Sequence, residues 1–170
     1  MKQSDAEFIG NALADAGFDF CASLPATQLH ELQSWLADSQ RFTTVSVTNE
    51  GEGVAICAGA WLGGKMPVIV LETSGILLST YALMRCHATF GIPILTLSTY
   101  RGGLGDQEWY AVNTGATLPQ LLQSMRIPCK VVQSVDEIAS TFVDAKRTMD
   151  ASMHPVSIVL DVRLTDTGKD

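Results

Sequence analysis

Charge is what this sequence has least of. Only 17% of its 170 residues are Asp, Glu, Lys or Arg, against about 25% in an average soluble domain. So little charge suits a surface partly covered by another chain, or a large apolar core. Basic residues are the scarcer sign: 11 Lys and Arg stand against 18 Asp and Glu, a net charge of −7. They cluster nowhere, which argues against a nucleic-acid partner and against an anionic membrane. No apolar run reaches the ~18 residues of a membrane span. The opening MKQSDAEFIG carries acids where a signal peptide needs an apolar stretch, so the expected location is cytoplasmic. Cys21, Cys57, Cys86 and Cys129 form no CxxC pair and sit among apolar neighbours; buried free thiols in a reducing compartment are expected. His30, His87 and His154 are far apart and suggest no zinc site. The GxGxxG, GxxxxGK[ST] and GxSxG patterns are all missing, which argues against dinucleotide binding, P-loop chemistry and a nucleophile elbow.

What the sequence does have is alternation. Ser4-Asp5-Ala6-Glu7 has the form of a capping box opening a helix to about Ala16, closed by Gly17. Residues 18–23 read as a short strand, and 27–38 as a helix with Thr27 a candidate cap. The strand 43–47, a helix from about Glu50 to Leu62 and the apolar strand 67–72 follow, then a helix over 76–90 and a strand over 92–98. The stretch 99–117 is irregular. A short helix LPQLLQSM, a strand CKVVQ, a second capping box Ser134-Val135-Asp136-Glu137 opening the longest helix, and a strand over 155–162 complete the chain. Such continuously apolar strands are buried on both faces, the mark of a parallel sheet between helices. The fold class is α/β: a single domain, 1–170, with its core about 4–162 and a polar tail 163–170, built on a six-stranded, mostly parallel sheet with helices on both faces. Ligands in such folds sit at the carboxyl ends of strands, which directs attention to 24–27, 48–53, 72–76 and 99–116.

One acid is out of place there. In VSVTNEGEGVAICAGAWLGG (45–64), Glu50 and Glu52 stand at the mouth of a helix that then carries no charge. Both acids could simply complement the helix dipole, worth ~0.3–1 kcal/mol. Alternatively Glu50 is a carboxyl in an apolar setting, with a raised pKa and able to share a proton. His87, in mid-helix, reads as a packed histidine rather than a catalytic one.

Three segments, SLPATQLHEL, VTNEGEGVAICAGAWLGGKMPVIVLETSG and GIPILTLSTYRGGLGD, resemble the pyrimidine-binding domain of thiamine diphosphate-dependent enzymes. Among these the chain is most similar to the small alpha subunits of sulfopyruvate decarboxylase and to phosphonopyruvate decarboxylase. The resemblance covers roughly 4–162 and is most specific over Thr48–Pro67, where a strand, a glutamate, an Ala/Gly-rich helix and a Gly-Lys-x-Pro turn recur in order. It implies a flavodoxin-like pyrimidine-binding domain. It also implies that Glu50 hydrogen-bonds the cofactor's aminopyrimidine ring, favouring the imino tautomer that takes the thiazolium proton, after which the cofactor accepts electrons from a 2-oxo acid losing carbon dioxide. The apolar helix would keep that carboxyl dry. Glu52 is then a cap or an interface acid.

By the same resemblance Pro25 and Ala26 approach the ring, and Thr27 offers substrate a hydroxyl or merely starts a helix. Thr73, Ser74 and Gly75 back the pyrimidine. Arg101, with Gln107 in the loop after it, could recognise an anionic group or be a solvated loop arginine. The decarboxylases usually have asparagine where this chain has Thr73, and Gly-Asn where it has apolar residues after Gly75, so the resemblance does not fix the substrate. Mg²⁺ in these enzymes is held by Gly-Asp-Gly with an asparagine further on. Here Gly105-Asp106 is followed by Gln107, with no asparagine at the required distance. The expectation is a hetero-oligomer, a dimer of alpha–beta pairs, in which a beta subunit binds the diphosphate and Mg²⁺. A carboligase subunit and a non-catalytic flavodoxin-like scaffold remain as alternatives.

Overall fold

A computed structural model of the chain describes residues 1–102, 106 and 108–165. The elements in order are α1 (Gln3–Asp15), β1 (Phe20–Ser23), a 3-10 turn (Thr27–Leu29) leading into α2 (His30–Asp38), β2 (Thr43–Ser46), α3 (Glu50–Leu62) and β3 (Pro67–Leu71). Then come α4 (Thr73–Leu78), α5 (Thr80–Ala82) continuing as a π-helical stretch (Leu83–Ala88), β4 (Leu95–Tyr100), α6 (Val112–Ser124) and β5 (Cys129–Val132). A 3-10 turn (Val135–Glu137), α7 (Ile138–Ser152), β6 (Val156–Asp161) and a last turn α8 (Val162–Thr165) follow.

All six strands are parallel, in the order β2-β1-β3-β4-β6-β5. Alternate residues of each central strand feed opposite layers, as the two-residue strand period requires. Val68 and Val70 of β3, with Leu95 and Leu97 of β4, pack with residues of α1, α2 and α7. Ile69 and Leu71 pack on the other face with Val54 and Cys57 of α3 and Leu118 and Leu122 of α6. The chain leaves β1 toward β2 and returns across it to β3. That reversal between β1 and β3 opens a crevice at the carboxyl ends of the strands, where open α/β sheets bind ligands.

Several expectations are corrected. Burial on both faces holds for β1, β3, β4 and β6 but not for the edge strands: β2 is exposed or half-buried throughout, and in β5 only Val132 is buried. Glu50 therefore follows an edge strand. The helix behind it is buried on one side only: Gly53, Val54, Cys57 and Ala58 face inward, while Ala55, Gly59 and Leu62 are exposed. The first capping box does not form. Backbone N–H groups of Asp5 and Ala6 already donate to the carbonyl of Lys2, so Lys2 takes the N-cap and Ser4 lies inside α1. The second box does form: Ser134 Oγ accepts from Asp136 N–H and Glu137 reaches back to Ser134 N–H. The helix expected over 76–90 starts at Thr73, breaks at Ser79 and ends in π geometry. The helix expected from Leu118 starts at Val112 and carries Pro119 inside it. The proline ring crowds the carbonyl four residues earlier, and that residue is Gly115. The chain also stays packed past 162, since Thr165 is buried and its carbonyl accepts from the Met1 ammonium at 2.7 Å.

Candidate active site

The carboxyl ends of β1, β3 and β4 surround a cavity of about 330 Å³. Its wall brings together Thr27, Thr73, Ser74 and Arg101, four of the residues singled out in the sequence. It also recruits Gln28, Glu72, Glu108, Tyr110, Ala111 and Thr114, none of them singled out individually in the sequence. Glu72 follows β3, and it, Glu108, Tyr110, Ala111 and Thr114 fall in the 72–76 and 99–116 stretches to which the strand-end rule points. Gln28 lies just past the 24–27 stretch.

The β1 side is held by a glutamine. Gln33 Nε2 donates to the carbonyl of Leu24 at 2.6 Å, and its Oε1 accepts from Ala26 N–H at 3.0 Å. This clamp fixes the turn between β1 and α2, and the expected Thr27 cap is not made. Ala26 is the N-cap of the following 3-10 turn and no side chain caps it, so the Thr27 hydroxyl is free to line the cavity. Pro25 is exposed, whereas Ala26 is buried in the α1–α2–α7 core; neither lines the cavity.

The segment 73–75 is the first turn of α4, not a loop. Thr73 is buried and its hydroxyl donates to the carbonyl of Thr99 on β4. Ser74 is exposed toward the cavity. Gly75 is buried and faces Glu50: a Cβ there would lie 2.8 Å from Glu50 Cγ, 3.2 Å from its Oε1 and 3.1 Å from Leu71 Cδ1. Glu50 is thus joined to the cavity through this turn, without itself lining it.

The two glutamates of α3 differ in what they do. Asn49 is the N-cap, its Oδ1 accepting from Glu52 N–H at 3.2 Å, and the Glu52 carboxylate accepts from Thr48 Oγ1 at 3.4 Å. Glu52 is exposed and occupied with the cap. Glu50 is half-buried, and among the described residues its carboxylate accepts no hydrogen bond.

Arg101 is fixed from two sides. Gly115 packs so tightly on the Arg101 carbonyl that any Cβ there would collide with it. The guanidinium, only 13% exposed, donates from Nη2 to Asp106 Oδ1 at 2.8 Å, with Glu108 Oε1 at 4.0 Å. Asp106 also accepts from Gly102 N–H at 2.7 Å and Glu108 N–H at 3.0 Å. Burial alone would raise its pKa, but the two backbone donors and the Arg101 guanidinium outweigh that and hold it below the ordinary carboxylate value. Asp106 thus already accepts three N–H groups, two on Oδ1 and one on Oδ2, and its carboxylate serves to hold this loop to Arg101. Gln107 lies outside the described residues.

Away from the cavity, His87 is fully buried with Nδ1 3.0 Å from the Ile92 carbonyl and Nε2 2.9 Å from that of Val54, a packed histidine as expected. Cys21 and Cys57 are buried free thiols, while Cys86 and Cys129 are half-buried. Burial pushes the Cys57 thiol up to about 12, so it is inert as a nucleophile.

No family model matches the chain. The alpha subunit of sulfopyruvate decarboxylase from Methanococcus maripaludis is 30% identical over 161 residues, 95% of this chain and 95% of that protein. The protein of the same name from Methanocaldococcus jannaschii is 31% identical over 153 residues, 90% of each. The chain belongs to the family of sulfopyruvate decarboxylase alpha subunits. The fold of this family member recurs in the 2-oxoglutarate:ferredoxin oxidoreductase of Magnetococcus marinus, solved with 2-oxoglutarate, coenzyme A and succinyl-CoA bound. The TM-score is 0.74 at 21% identity, over 97% of this chain and 29% of that one. Among the described residues no helix is long and apolar enough to cross a membrane.

Proposed function

We propose that this chain is the alpha subunit of a two-chain, thiamine diphosphate-dependent 2-oxo acid decarboxylase in which Glu50 activates the cofactor's aminopyrimidine ring. The observation that carries the reading is the Glu50 carboxylate. It stands on a helical turn whose cap is already served by Glu52 and Asn49. It is half-buried, lies against the bare Cα of Gly75, and has no hydrogen-bond donor of its own among the described residues. A ring nitrogen that shares a proton with a carboxyl fits such a group.

Bound thiamine diphosphate supplies the electron sink into which a 2-oxo acid releases the electron pair of its departing carboxyl group. This chain supplies position. Glu50 holds the shared proton, Thr73, Ser74 and Gly75 back the ring, and the exposed Pro25 approaches it from the β1 side, with Ala26 buried behind it. Thr27 and Arg101, with Gln107, face a small 2-oxo acid carrying a second anionic group. Arg101 spends Nη2 on Asp106; its Nη1 has no partner among the described residues and is left to donate to an anionic oxygen.

A beta subunit completes the site with the diphosphate anchor and Mg²⁺, in a dimer of alpha–beta pairs. Three observations support a partner chain. The relatives are named as alpha subunits. The Asp106 carboxylate is engaged by three N–H donors of its own loop. Finally, α3 from Gly53 to Gly64 and the helices from Thr73 to Met84 carry no charge, yet Leu62, Leu78 and Tyr81 on them are 72%, 73% and 77% exposed. Apolar surface of this kind, depleted of charge, is what the core of a permanent interface is made of.

Calorimetric titration with thiamine diphosphate and Mg²⁺ tests the split site. The chain alone is expected to show no tight binding, and addition of the beta subunit to restore it. Sub-micromolar binding by the chain alone contradicts the proposal.

A further inference from the structure

We infer that the first turn of α4, Thr73–Gly75, positions the Glu50 carboxylate, rather than serving only as a surface against the cofactor. The inference rests on the reading of Glu50 proposed above. It begins from a question about Gly75. This glycine is helical and is not among the residues with positive φ, so its conformation does not call for glycine. Alanine is the better helix former there. What calls for glycine is space: a methyl group would press on Glu50 Cγ at 2.8 Å and on Oε1 at 3.2 Å. Leu71 Cδ1, at 3.1 Å, belongs to a fully buried side chain and would have to shift by only a few tenths of an ångström.

The seat is itself anchored. Thr73, 2% exposed, donates its hydroxyl to the carbonyl of Thr99, tying the turn after β3 to the neighbouring strand β4. The backbone N–H groups of Gly75 and Ile76 both return to the carbonyl of Glu72, which fixes the turn at its start. One short turn therefore has two working sides. Ser74 meets the cavity, and Gly75 meets the acid on α3. A carboxyl without a hydrogen bond of its own takes its direction from what it is packed against, and here that includes the Gly75 Cα. Thr73 and Gly75 are positioning residues that act through Glu50.

A double-mutant cycle on the full chain tests the contact without reference to activity. Gly75→Ala is expected to lower the thermal midpoint by several degrees. In the Glu50→Ala background, where Cγ is gone, the same change is expected to cost under about one degree or to raise the midpoint, as a helical Gly→Ala change does where space allows. A Gly75→Ala chain too unstable to measure but rescued by Glu50→Ala is the same result. Independent, additive shifts overturn the inference.

In the enzyme reconstituted with its beta subunit, Gly75→Ala and Thr73→Val are expected to lower kcat by ~10–100-fold, the scale of a misplaced reacting group, with KM for the 2-oxo acid within about threefold of the parent. Thr73→Ser, which keeps the donor, is expected to recover most of the Thr73→Val loss; no recovery overturns the anchoring role. If both Gly75→Ala chains fail to fold, this Thr73 pair decides. Coupling of Gly75 to Glu50 together with an active Glu50→Gln enzyme leaves the contact standing and removes the catalytic reading instead.

Discussion

Glu50, the first residue of α3, and Gly75, in the first turn of α4, meet with only a bare Cα between them: a Cβ on Gly75 would sit 2.8 Å from Glu50 Cγ. Their elements follow β2 and β3, which are not neighbours in the sheet, since β1 lies between them. Helix α3 closes that gap because it packs on both β1 and β3 and touches α4. The crossover that makes the fold thus also brings the acid after the edge strand to the turn after a central one. The cavity begins on the other side of that turn.

The uncharged face on α3 and α4–α5 is predicted to be where the beta subunit docks. Leu78→Asp and Tyr81→Asp place charge at positions 73% and 77% exposed, so each is expected to change the stability of the chain alone by no more than about 0.5 kcal/mol. In sedimentation or size-exclusion titration, each is expected to weaken association with the beta subunit by at least about tenfold. Unchanged association places the partner elsewhere.

Arg101 is predicted to read the second anionic group of the substrate. Arg101→Ala is expected to raise KM for a sulfonated or phosphonated 2-oxo acid by ~10-fold or more, on the scale of a charged hydrogen bond, and to raise KM for pyruvate much less. Because Arg101 also pairs with Asp106, Asp106→Asn serves as the control for loop disruption. Equal effects of Arg101→Ala on both substrates remove Arg101 from recognition.

The Arg101 pocket and the Glu50 seat differ in how far they could be read in advance. Strand β3, all apolar, and helix ends such as Gly17, at φ +97°, declared themselves because each needs only local information. Glu50 stood out because the twelve residues 53–64 after the Gly51-Glu52 pair carry no charge. Thr73 and Gly75 enter the site by the family resemblance alone, as a backing for the ring; a Thr-Ser-Gly run after a strand otherwise reads as a turn, and only the path of α3 over β1 and β3 reveals that the glycine makes room for Glu50. The start of α6 was missed for a related reason. Pro119 resembles a first helical residue, and nothing in the local sequence says that the helix already begins seven residues before it, at Val112. The Ser4 box fails because Lys2 accepts the first helical bonds two residues earlier than the motif suggests.

His87 is predicted to give the fold a pH dependence. Burial lowers its pKa below the ordinary 6.5, and the Val54 and Ile92 carbonyls only partly oppose this. The unfolded chain therefore binds a proton more readily, and stability falls as pH drops below about 6.5 toward the lower folded value, by at most about 1.4 kcal/mol per pH unit. Urea unfolding at pH 7.5 and 5.5 is expected to show this loss in the parent. In His87→Gln a lower stability at pH 7.5 and a smaller fall on acidification are expected. Equal falls in both chains assign the dependence to other groups.

The role of Glu50 is tested most directly by comparing Glu50→Gln with Glu52→Gln in the enzyme reconstituted with its beta subunit and cofactor. Both substitutions remove one charge from the same helix end, so Glu52→Gln controls for the dipole, an effect of about 1 kcal/mol or less. The measurement is the rate of hydrogen–deuterium exchange at the thiazolium carbon of bound thiamine diphosphate, read beside the decarboxylation rate. Glu50→Gln is predicted to fold normally and to slow both rates by at least about a hundredfold, the scale of one lost proton-transfer group, while Glu52→Gln stays within about tenfold of the parent. Exchange that persists in Glu50→Gln, or equal losses in the two variants, would contradict the role given to Glu50.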